Sequence, residues 1–269
     1  MTEPIPFHRE AGSGPSVVCL HSNASTSGQW RSLMDTLADR YRVLAPDGYG
    51  AGKSPDWPSS RAPSLQDEAA LIEPLLARAG SPLVLVGHSY GGAVALIAAL
   101  GQPARVGALV LFEPTLFALV DGAGAPPNGA DGIRETVRIA ALALDRGDRV
   151  AAARCFIDFW MGPGSFDAMP AGRRAPIADS VVHVRRWAHA LMTEPTPLAA
   201  FAALDMPVLY LLGAHSPEPA HAVARVLVPV LPRVEVVELP DAGHMAPITH
   251  PDLVNGEIAR FLAQTHPTG

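Results

Sequence analysis

The chain has 269 residues, 48% of them hydrophobic, and 20 basic against 26 acidic residues leave a formal net charge of −6. It is long enough to bury a full core and too apolar to be disordered. The net charge is acidic and the sequence has no basic cluster, which argues against a nucleic-acid partner. Two cysteines, Cys19 and Cys155, exclude a disulfide framework and a four-cysteine zinc site.

Met1–Ser16 lacks the apolar core of a signal peptide. The apolar run from Ala93 to Leu100 is too short to span a bilayer. The expectation is a cytoplasmic protein that acts on a small molecule, without a membrane or nucleic-acid partner. The oligomeric state is left open.

In chain order, short apolar runs predict strands at Ser16–Leu20, Arg42–Ala45, Leu83–Val86, Ala108–Phe112, Val208–Leu212 and Val234–Leu239, with an extra strand at Ile5–Arg9. Continuous apolar runs suit strands covered on both faces, hence a mostly parallel sheet. Helical patterns lie between them at Ser27–Arg40, Ser64–Ala79, Tyr90–Leu100, Pro219–Leu231 and Pro251–Ala263. This alternation predicts a doubly wound α/β fold. It stops between Thr115 and Ala203, where helical patterns follow at Ile133–Asp145, Arg149–Met161 and Ile177–Met192. The predicted division is a core of residues 1–114 and 204–269 with a helical cap insertion at 115–203.

Gly87-His88-Ser89-Tyr90-Gly91 is a G-x-S-x-G between a predicted strand and a predicted helix, the context that the motif requires. A sharp turn there exposes the Ser89 hydroxyl at a helix N-terminus, where negative charge is favoured. A hydroxyl needs a base to act as nucleophile. His244, in the loop after the last predicted strand, can reach the same sheet edge. His88 points into the fold, and His21 serves as a loop-fixing residue. Gly48-Tyr49-Gly50-Ala51-Gly52-Lys53-Ser54 imitates a phosphate loop but is one residue short. It is read as a Gly-rich turn fixed by Asp47. The sequence offers no metal-ligand cluster and calls for no cofactor.

The chain resembles the α/β-hydrolase superfamily. The likeness rests on His21-Ser22-Asn23, Asp47 to Ser54, Gly87 to Gly92, Leu212 to Ser216 and Gly243-His244. It implies a triad of serine, acid and histidine, and an oxyanion hole of two backbone N–H groups, placed on Asn23 and Tyr90. Ser22 stands where the family pattern has glycine. Most relatives carry the acid at the position of Ser216, so the acid here is Glu113, after the fourth predicted core strand, or Glu218; Glu113 is preferred. Trp30, Trp160 and Met245 are the pocket residues expected. The implied activity is cleavage of a carboxylic ester or related acyl compound through an acyl-enzyme. Alternatives are a cofactor-free perhydrolase, a C–C bond hydrolase on the same triad, or a weakly catalytic ligand-binding relative.

Overall fold

A computed structural model describes residues 6–266. The elements run β1 (His8–Ala11), β2 (Ser16–Leu20), α1 (Arg31–Leu37), β3 (Arg42–Pro46), α2 (Leu65–Ala79), β4 (Leu83–His88), α3 (Tyr90–Gly101) and β5 (Val106–Phe112). Then come α4 (Ala118–Ala123), α5 (Asp131–Asp145), α6 (Arg149–Met161), α7 (Ser165–Ala168), α8 (Ala171–Ser180) and α9 (Val184–Met192). The chain closes with β6 (Val208–Gly213), α10 (Glu218–Leu227), β7 (Val234–Leu239), α11 (Ala246–Thr249) and α12 (Pro251–Thr265).

The seven strands form one sheet in the order β1-β3-β2-β4-β5-β6-β7. Only β1 is antiparallel to its neighbour, and the remaining pairs are parallel. Successive strand residues point to opposite faces. Thus Val18 and Leu20 join the core layer built with α2, α3 and the helices after β5, while Val17 and Cys19 join the layer built with α1 and α12. Between β5 and β6 the described elements are all helical, so the fold is a doubly wound sheet with a helical insertion. No helix among the described residues is long and apolar enough to cross a membrane.

Four expectations about elements are corrected. The predicted extra strand begins later, at His8, and Ile5 lies outside the described residues. The helix expected over Ser27–Arg40 is a 3-10 turn at Ser27–Trp30 followed by α1. The helix expected at Ile177–Met192 is interrupted by a 3-10 turn at Val181–His183 between α8 and α9. The helix expected at Pro219–Leu231 is α10 followed by a 3-10 turn at Val228–Val230. The start of α2 is as its sequence demands: the Ser64 side chain accepts from the Asp67 N–H while the Asp67 carboxylate accepts from the Ser64 N–H, a capping box.

Candidate active site

Ser89 sits between β4 and α3 with φ 56° and ψ −117°, a conformation that residues with side chains rarely hold. Glycines make the turn possible. A Cβ at Gly87 would stand 2.5 Å from the Gly91 carbonyl oxygen, and one at Gly91 would collide with the carbonyl oxygen of Leu20. The turn holds the Ser89 hydroxyl at the positive end of α3.

Three side chains from three strand ends meet here. The Ser89 hydroxyl donates to His244 Nε2 at 2.9 Å, and His244 Nδ1–H donates to Glu113 Oε2 at 2.6 Å. All three are buried, Glu113 at 0% exposure. A fully buried carboxylate is costly unless its oxygens are satisfied. The other oxygen of Glu113 accepts from the Gly213 N–H at 2.6 Å and from the Ser216 hydroxyl at 2.7 Å. Ser216 thus holds the carboxylate that reaches His244. Glu113 itself sits at φ 44°, a second strained residue at this edge. Glu218 is exposed at the start of α10 and pairs with Arg225.

His88 is buried and points away from Ser89. Its Nε2–H donates to the His244 carbonyl at 2.8 Å, and its Nδ1 accepts from Gln29 Nε2 at 3.1 Å. Burial, and then the neighbouring His244, hold its pKa well below the ordinary value, so it is neutral. Gln29 Oε1 in turn accepts from the Ser22 N–H and hydroxyl. This chain of bonds ties the loop of His244 to the loop of Asn23, and it gives Ser22 a structural use. Sequence reasoning missed Gln29, because nothing in a single glutamine distinguishes it before the loops are placed.

Asn23 and Ser89 line one chamber. The Asn23 N–H takes no hydrogen bond among the described residues. Tyr90, the first residue of α3, has an N–H without an intrahelical partner. His21 is where the loop needs it: Nδ1–H donates to the Ser22 carbonyl and Nε2 accepts from the Gly48 N–H. Asp47 accepts from the backbone N–H groups of Ser27 and Lys53 and so fixes the Gly-rich turn.

The chamber at Ser89 is mainly apolar, with Phe117, Ile133, Phe156 and Leu191 among its walls. Thr115 also lines it, with its hydroxyl buried and unpartnered. Trp160 stacks on His244 with ring centroids 3.9 Å apart at 26°, and it lines both this chamber and an outer cleft that Met245 also lines. Trp30 lines neither. It is 1% exposed and packs with Leu33, Met34 and Leu37 in the layer on the α1 side of the sheet, which corrects its expected role. Among the described residues no group of His, Cys, Asp and Glu is arranged to hold a metal.

The model of the alpha/beta hydrolase family matches residues 17–257. The chain is 27% identical over 260 residues to a 2-(acetamidomethylene)succinate hydrolase of Mesorhizobium japonicum, covering 94% of this chain and 90% of that one. It is 26% identical to a 2-hydroxy-6-oxo-6-phenylhexa-2,4-dienoate hydrolase of Burkholderia cepacia, with the same two coverages of 94% and 90%. A thermophilic esterase structure from Thermogutta terrifontis matches with a TM-score of 0.74 at 24% identity, over 97% of this chain and 93% of that one, a likeness of fold. Other curated relatives match over shorter stretches, where the chain spans about two fifths of their length or less.

Proposed function

The chain belongs to the alpha/beta hydrolase family, and on that premise we propose that it is a serine hydrolase cleaving a carboxylic ester or related acyl substrate. The observation that carries this reading is the unbroken hydrogen-bond series from the Ser89 hydroxyl through His244 to Glu113. Ser89 Oγ attacks the carbonyl carbon as His244 Nε2 takes its proton. Glu113 keeps the imidazole in the tautomer that accepts that proton and stabilises the imidazolium. The oxyanion of the tetrahedral adduct receives the N–H groups of Asn23 and Tyr90. One such donor is commonly worth about 10²–10³ in rate. His244 then protonates the departing alcohol, leaving an ester on Ser89. Water, deprotonated by His244, releases the acid and restores the serine.

Residues 115–203 act as a cap that shapes the acyl chamber, because α5, α6 and α9 supply most of its apolar wall. Trp160 lines this chamber, and Met245 lines the outer cleft beside it. A second reading, C–C bond hydrolysis by the same three residues, draws support from the full-length likeness to the Burkholderia cepacia enzyme. The substrate is a small molecule, and this chemistry needs no cofactor.

Labelling with a fluorophosphonate tests the reading. The protein should be labelled on Ser89, the Ser89→Ala variant should not, and hydrolysis of p-nitrophenyl butyrate should vanish with the label. A Ser89→Ala variant that stays folded and hydrolyses the ester at the original rate would overturn it. Turnover of a vinylogous 1,5-diketone with no turnover of simple esters would favour the second reading.

A further inference from the structure

A second pocket lies beside the one at Ser89, and Asn23 and Trp187 line both. Its walls come from the loop after β2, the turn after β3, and α2, α3, α8 and α9. Tyr49, Tyr90 and Trp187 line it, and among the described residues neither lysine nor arginine does. Glu68, 6% exposed, is its one carboxyl among the described residues.

Glu68 accepts hydrogen bonds, both 3.3 Å long, from the Tyr90 hydroxyl and the Tyr49 N–H. These are weak for a group with about four acceptor sites. His21 supplies no counter-charge: burial lowers its pKa, and its Nε2 already accepts from Gly48. Burial without a cation pushes the Glu68 carboxyl up to about 7. Space beside it is kept by Gly48, where a Cβ would stand 3.3 Å from Glu68 Oε2. A carboxyl with spare acceptor capacity, aromatic walls and no lysine or arginine beside it among the described residues is the chemistry that receives an ammonium group.

We propose that this chamber binds an alkylammonium group of the substrate, with Glu68 accepting its N–H and Tyr49, Tyr90 and Trp187 forming the aromatic walls. The inference rests on the hydrolase reading, since Asn23 and Trp187 join this chamber to the one at Ser89. A purely architectural role for Glu68, anchoring the turn at Tyr49, needs only an acceptor. Glutamine supplies that acceptor without the charge, so Glu68→Gln separates the two roles.

Two measurements at pH 8 decide the matter. In the first, tryptophan fluorescence is titrated with dimethylpropylammonium chloride, with sodium propionate and sodium chloride as controls. Saturable binding of the ammonium alone is expected, weakened at least tenfold in Glu68→Gln and less in Tyr90→Phe. Equal binding by the wild type and Glu68→Gln, or binding of propionate as tight as that of the ammonium, overturns the site. In the second, kcat/KM is compared for dimethylaminopropyl butyrate and its carbon isostere, isohexyl butyrate. The wild type should prefer the amino ester at least tenfold, and Glu68→Gln should remove the preference. If both esters are cleaved with a ratio that Glu68→Gln does not change, the hydrolase reading stands and the ammonium site falls. If the ammonium binds through Glu68 and neither ester is cleaved, the site stands and the hydrolase reading falls.

Discussion

The Trp160 indole lies on the face of the His244 imidazole, ring centroids 3.9 Å apart at 26°. Trp160 belongs to α6 in the helical insertion, and His244 to the loop after β7. The insertion therefore touches the group proposed to carry the proton. A π face over an imidazolium is worth roughly 0.5–2 kcal/mol.

Trp160→Phe keeps an aromatic wall and should lower kcat/KM modestly, by about threefold to tenfold on the scale of that interaction. Trp160→Ala also removes the wall that lines both the inner chamber and the outer cleft. Its rate on long-chain esters should rise relative to short-chain ones. A p-nitrophenyl ester series checks both variants, and an unchanged chain-length profile in Trp160→Ala would count against the wall.

Glu113→Gln leaves His244 Nδ1 facing an amide. Loss of the analogous carboxylate charge costs about 10⁴ in turnover in serine proteases, and a comparable fall is expected here. Glu218→Gln, at an exposed site, should change little. Ser216→Ala removes one of the donors on Glu113, and a hydrogen bond to a charged group is worth roughly 1.5–3 kcal/mol, so a fall of about tenfold or more in kcat is expected. Ser216→Asp in the Glu113→Gln background should recover part of the activity. Steady-state kinetics on p-nitrophenyl butyrate measures all four, and a dead Glu218→Gln beside an active Glu113→Gln would reassign the acid.

Glu68 also makes stability depend on pH. Its carboxyl is raised in the folded protein from 4.5 to about 7, chiefly by burial, against the weaker pull of Tyr49 and Tyr90 and with Asp67 pushing the same way. The folded state therefore holds the proton more tightly than the unfolded one. The stability this contributes is full below pH 4.5 and is lost as pH rises through about 7. Its size is at most about 3 kcal/mol. Denaturation of wild type and Glu68→Gln at pH 5 and pH 8 should show the variant gaining on the wild type at the higher pH. Parallel pH dependence would contradict this.

Gln29 bridges His88 and Ser22, and so links the loops of His244 and Asn23. Gln29→Leu should lower kcat more than it raises KM, because it loosens groups used in the transition state. Kinetics that change KM alone would count against the link.

The elbow was legible because it is local: G-x-S-x-G needs no knowledge of the rest of the chain, and the collisions at Gly87 and Gly91 follow from the turn itself. The sheet was legible from its apolar runs. The reach of Glu113 to His244 was only half legible. It depends on β5 lying beside β6, which sets Glu113 next to Gly213 and Ser216. Trp30 lies on the far side of the sheet from the expected pocket, because helical spacing tells which residues share a face, not which side of the sheet that face covers. Glu68 is one of many carboxylates in the sequence. Its signal was present, since Leu65, Glu68, Ile72 and Leu75 fall at helical spacing on the buried face of α2. The break between α8 and α9 left no mark in the apolar pattern.

The central claim is that Ser89 becomes acylated, and intact-mass spectrometry of the protein quenched within milliseconds of mixing with p-nitrophenyl butyrate tests it most directly. The account predicts a butyryl adduct that peptide mapping places on Ser89, accumulating further in Glu113→Gln where deacylation slows, and absent from Ser89→Ala. Rapid hydrolysis with no adduct on Ser89 in either background, or an adduct on another residue that turns over at the rate of product release, would contradict it.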